Sequence, residues 1–182
     1  MSARTSFFLV ALLAFAAGGG LWWHQHETRS KTRTPVEAGD IGPGALYATR
    51  FFAPDGSPQG LGQFQGQLLV LNFWATWCAP CRDEMPAFDR VARRWKDRGV
   101  QVLGITAEEP ARVRDFATSL RVSYPLWTGG AEVGELSRRL GNRLGVLPFT
   151  ALVGRDGRLL ETRVGPYTED ELETRLTRFS AN

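Results

Sequence analysis

The chain has 182 residues, 43% hydrophobic and 23% charged, a balance that suits a short appendage plus one globular domain and excludes a disordered chain. Its net charge of +3 lies before Pro35, where Arg4, Arg29, Lys31 and Arg33 face only Glu27. From Pro35 onward 18 basic and 18 acidic residues balance, so no nucleic-acid partner is expected.

Residues 7–23, FFLVALLAFAAGGGLWW, carry no charge. A helix of that length spans roughly 26 Å, close to a ~30 Å hydrocarbon core, with Trp22 and Trp23 placed for an interfacial belt. The favoured reading is a signal anchor over residues 1–24, holding the protein to the membrane. The small-x-small run Ala14-Phe15-Ala16 leaves a cleaved signal peptide and a soluble periplasmic domain as the alternative. Arg29, Lys31 and Arg33 follow the segment and only Arg4 precedes it, so the positive-inside rule taken alone favours a cytoplasmic domain. Both histidines, His24 and His26, sit beside this segment. Their absence downstream excludes Ser-His and Cys-His catalysis and most zinc or copper sites from the domain. Residues 25–44, polar with Pro35, Gly39, Gly42, Pro43 and Gly44, read as a tether, and the domain occupies 45–182.

Within the domain, residues 46–52 predict a strand turned by Pro54-Asp55-Gly56, an N-terminal β-hairpin extension. Residues 68–74, LLVLNFW, form the nearly continuous apolar run of a central strand covered on both faces. A helix is predicted over 80–98, where Met85, Phe88, Ala92 and Trp95 make one apolar stripe and Pro86 introduces a kink. A strand over 100–106, a helix over 110–120 and a helix over 132–140 follow. Strands over 149–153 and 158–164 flank the turn Gly154-Arg155-Asp156-Gly157. Thr168 with Glu171 three residues on predicts a capping box at the start of a last helix. The pattern amounts to an α/β fold, a central mixed β-sheet flanked by helices.

The two cysteines, Cys78 and Cys81, lie in FWATWCAPCRDEMP, where the central strand gives way to a helix. First-turn amides are unpaired there and the helix dipole is positive, so a thiolate is favoured. The i, i+3 spacing brings the two Cβ atoms within disulfide reach. It leaves Cys78 as the exposed sulfur at the helix tip and Cys81 shielded one turn in. Between them Ala79 and Pro80 fill the first turn, where a missing N–H costs little. A structural disulfide here would close almost no loop and contribute little entropy. Half a zinc site would need two more ligands that the domain lacks. The residues favour a redox pair, with no metal and no cofactor.

This motif, with an apolar strand before it and Leu147-Pro148 opening another, resembles the thioredoxin superfamily. It is most similar to the membrane-anchored TlpA/ResA thiol:disulfide oxidoreductases, over residues 45–179. The resemblance implies a thioredoxin-like fold and a monomeric, exported domain on the periplasmic face of a bacterial inner membrane. It implies reduction of disulfides in exported proteins, apocytochrome c or oxidase assembly factors among them, with electrons from a transmembrane thiol donor. A disulfide oxidase or isomerase and a peroxiredoxin-like thiol peroxidase are the alternatives. By the same resemblance Cys78 is the nucleophile and Cys81 the resolving cysteine. Glu84, three residues on, matches an active-site glutamate; one turn below Cys81, it can accept or relay that thiol's proton. Pro148 matches a cis-proline, with Leu147 offering its backbone edge to a substrate chain; Trp77 is expected to shield the sulfurs and Trp74 to join the core. Two departures stand out. Asn72 replaces the buried aspartate of thioredoxin itself, which makes Glu84 the substitute proton carrier. Gly145-Val146-Leu147-Pro148 lacks the extra glycine that many relatives place just before the proline, a difference that bears on the substrate groove.

Overall fold

A computed structural model describes residues 41–120 and 122–180. In chain order they form α1 (Pro43–Tyr47), β1 (Arg50–Phe52), β2 (Pro58–Gly60), β3 (Leu68–Phe73), α2 (Ala79–Trp95), β4 (Val100–Thr106), α3 (Pro110–Ala117), β5 (Leu126–Thr128), α4 (Gly130–Arg139), β6 (Phe149–Val153), β7 (Leu159–Val164) and α5 (Glu169–Ser180). The strands make one sheet in the order β2-β1-β5-β4-β3-β6-β7. Strands β3, β4 and β5 run parallel; β6 is antiparallel to β3, β7 to β6, and the β1–β2 hairpin joins antiparallel to β5.

Strand β3 holds the middle because all six of its residues are buried. Successive side chains on a strand point to opposite faces. Leu68 and Val70 therefore pack with Met85, Phe88 and Val91 of α2 and Leu172 and Leu176 of α5. Leu69, Leu71 and Phe73 pack on the other face with Leu103, Ile105 and Val133 and Leu136 of α4. Each fully buried side chain of this size contributes roughly 1.5–3 kcal/mol of hydrophobic stabilisation before entropy is counted. The two layers thus grip the strand whose end carries the cysteines.

Helix α2 starts at the cysteine motif and continues through Pro86 to Trp95; residues Lys96–Arg98 form a 3₁₀ turn closed by Gly99 at φ 70°. The capping box is present: Thr168 N–H donates to Glu171 Oε2 at 2.9 Å and Glu171 N–H to Thr168 Oγ1 at 3.3 Å.

The start of the domain differs from the sequence expectation. Pro43 presets helical φ and the Gly42 carbonyl accepts from Ala45 and Leu46, so the first two residues of the expected strand over 46–52 are the end of α1. Only Arg50–Phe52 pairs with β2. Ile41, 4% exposed, already packs in the core, ahead of the expected domain start at residue 45. Strand β5 was not anticipated, since three residues are too short to show a period. The apolar stretch 7–23 and the tether up to residue 40 lie outside the described residues. Among the described residues no helix is long and apolar enough to cross a membrane.

Candidate active site

Beyond β3 the chain turns through Ala75-Thr76-Trp77 and enters α2 at Cys78. The Cys78 Sγ caps the helix by accepting from the Cys81 N–H at 3.3 Å, using one of the first-turn amides that have no partner within the helix. Cys78 and Cys81 are joined as a disulfide with an S–S distance of 2.01 Å. Cys81 is 0% exposed and Cys78 4%, so the outer cysteine is a narrow opening and not a sulfur standing in solvent. Ala79 and Pro80 lie exposed on the first turn, with Pro80 at a position where no N–H is needed.

The loop before Cys78 is braced by a residue that sequence reasoning missed. Glu108, just past the end of β4, accepts the Thr76 N–H through Oε2 at 2.6 Å and the Thr76 hydroxyl through Oε1 at 2.7 Å. Its place beyond the carboxyl end of a parallel strand, where open α/β sheets gather their sites, is the signal that could have found it.

One turn inward from Cys81, Glu84 is 4% exposed and held at both oxygens. Oε1 accepts from Asn72 Nδ2 at 2.8 Å, and Oε2 accepts from the Tyr167 N–H at 2.9 Å. Asn72 Nδ2 also donates to Thr150 Oγ1 at 3.2 Å on the neighbouring β6. Burial raises the Glu84 carboxyl to about 7, opposed by the hydrogen bonds from Tyr167 and Asn72 and by the charge of Arg163. The carboxyl therefore changes charge near neutral pH, which suits a group exchanging a proton with a thiol. Tyr167 contributes through its backbone, so no residue type could have announced it.

The Leu147–Pro148 peptide bond is cis. Phe149 pairs with Phe73, which places Pro148 level with the strand end from which the cysteine loop departs. Leu147 and Trp77 border one cleft of about 340 Å³, together with Glu108, Arg138, Arg143 and Leu144. Trp77, next to Cys78 in the chain, is 71% exposed at the rim of this cleft. Trp74 is core, 1% exposed against Phe116.

Residues 40–176 match the Redoxin family along most of the chain. The chain belongs to the Redoxin family. This Redoxin domain is 30% identical over 129 residues to the thiol-disulfide oxidoreductase ResA of Bacillus cereus, covering 69% of this chain and 71% of that one. It is 27% identical over 172 residues to the thioredoxin-like protein YneN of Bacillus subtilis, covering 93% and 96%. Among solved structures, a thioredoxin-related protein from Neisseria meningitidis serogroup B is 31% identical with a TM-score of 0.65, covering 72% of this chain and 99% of that one. The Redoxin domain described here is accordingly a thiol-disulfide oxidoreductase with a thioredoxin-like fold.

Proposed function

We propose that the protein reduces disulfides of exported polypeptides through Cys78 and Cys81, anchored by its N-terminal apolar segment at the extracytoplasmic face of the membrane. The observation that carries this reading is the Cys78–Cys81 disulfide at a helix N-terminus with the Glu84 carboxyl, raised to about 7, one turn behind it. In the reduced protein the Cys78 thiolate attacks a client disulfide, forming a mixed disulfide and releasing one client thiolate. Cys81, giving its proton to Glu84, then attacks Cys78 Sγ; the mixed disulfide breaks and the second client thiolate leaves. Two electrons pass to the client, and the pair ends as the disulfide seen here. A membrane dithiol donor returns it to the reduced state, and no cofactor takes part. Apocytochrome c and oxidase assembly factors are the clients suggested by the ResA likeness.

Direction follows from the reduction potential, measured by equilibration with a dithiol buffer. A value near thioredoxin's (about −270 mV) is expected; a value near about −120 mV would make the protein an oxidase and overturn the reading.

A further inference from the structure

The loop from α4 to β6 treats three consecutive residues differently. Asn142, 2% exposed, closes on Val146 at both ends of its side-chain amide: Oδ1 accepts from the Val146 N–H at 3.0 Å, and Nδ2 donates to the Val146 carbonyl at 2.9 Å. Nδ2 also donates to Ser137 Oγ at 3.0 Å, which ties the amide back to α4. A side chain that engages the N–H and C=O of one residue reproduces the exchange that a neighbouring strand would give it. Pro148 has no N–H, and its carbonyl accepts from Gly165 at 2.9 Å. Leu147, between them, is left with both its N–H and its C=O unpartnered among the described residues, on the wall of the cleft beside Trp77.

The clamp is itself held in place. The Asn142 N–H donates to the Ser137 carbonyl at 3.0 Å, and the chain leaves α4 through Gly141 at φ 110° and turns back through Gly145 at φ 63°. Both values lie in the left-handed region that glycine adopts at no cost. The loop thus presents the open Leu147 pair between two neighbours, Val146 and Pro148, that offer none.

We propose that Asn142 is a positioning residue for client binding: by saturating Val146 it fixes Leu147 to exchange one pair of antiparallel hydrogen bonds with an extended polypeptide carrying the disulfide. The inference rests on the reductase reading and deepens it, because it names the side chain that orders the Leu147 edge which the family resemblance already implies. Prepaying the order of this loop favours clients with a strand to offer over small disulfides with none.

The test compares pre-reduced wild type, Asn142→Ala and Asn142→Asp on two substrates: a disulfide-bonded peptide and 5,5′-dithiobis(2-nitrobenzoate), which has no peptide backbone. For Asn142→Ala the peptide rate constant is expected to fall about tenfold more than the small-disulfide rate constant. Asn142→Asp keeps the acceptor for Val146 but loses both donors, and is expected to lie between. Equal losses on the two substrates would mark Asn142 as merely structural, and a peptide rate at the wild-type level would overturn the role. If Asn142→Ala does not fold, Asn142→Asp decides by the same ratio. Wild-type protein that fails to reduce the peptide refutes the reductase reading, and the inference with it, a result visible before any variant is made.

Discussion

Glu84 Oε1 accepts a hydrogen bond from Asn72 Nδ2 at 2.8 Å in a core where Glu84 is 4% and Asn72 0% exposed. An asparagine cannot take a proton, so this contact joins one titrating group to one fixed donor. The carboxyl is lifted by burial, kept accessible to ionisation by the donors from Asn72 and Tyr167, and placed one helical turn behind Cys81.

The raised carboxyl has a consequence for stability. The unfolded chain ionises Glu84 near its ordinary value of 4.5, whereas the folded protein does so at about 7. Between these values the folded state holds the extra proton, so stability present at pH 4.5 is lost as pH rises through 7. The difference corresponds to about 3 kcal/mol. Glu84→Gln is expected to lose about 3 kcal/mol less than wild type between pH 4.5 and 8, read by denaturant unfolding of the disulfide form. Parallel losses in both proteins would show that Glu84 does not titrate there.

Asn72→Asp replaces the fixed donor with a second carboxylate at Glu84 Oε1. Like charges at that distance disfavour joint ionisation, so the upper apparent pKa of the pair rises above 7. The pH–rate profile for resolution of the mixed disulfide is expected to move upward by about one unit or more. An unmoved profile would count against a proton role for Glu84.

Trp77 separates binding from folding. With 71% of the residue exposed, Trp77→Ala is expected to change stability by no more than about 0.5 kcal/mol. Reduction of a peptide disulfide is expected to fall about fivefold, since aromatic side chains dominate contact surfaces. Thermal unfolding and peptide kinetics measured on one preparation check both halves.

The two cysteines are expected to behave unequally. With Cys81 fully buried and Cys78 at the opening, Cys81→Ala leaves the attacking sulfur and removes the one that resolves. It should accumulate covalent complexes with client peptides on non-reducing gels, whereas Cys78→Ala should form few. Equal trapping by both would undo the assignment of roles.

Much of this arrangement is legible along the chain because it is built from local chemistry. The run LLVLNF announces a strand covered on both faces, and the structure buries all six residues. The i, i+3 cysteines at a strand-to-helix junction announce a pair within bonding reach, Glu84 falls on the next turn, and Thr168 and Glu171 cap α5 over the same three-residue interval. Where the local signal is short or competes with packing, sequence and structure differ. Leu46 belongs to a helix because Pro43 starts one and the core takes the leucine, and β5 has three residues and exists because β4 and β1 flank it.

The amino-acid sequence by itself places the cysteine pair at a strand-to-helix junction and a glutamate one turn further on, since each depends on residues within a turn or two of one another. The role given to that glutamate comes with the family resemblance. Only the tertiary structure decided how Glu84 ionises, because its burial and its two donors come from 12 and 83 residues away. It likewise decided that Glu108 braces Thr76 from 32 residues off. Desolvation and hydrogen bonding act through space, and folding alone brings those distant groups within 3 Å of their partners.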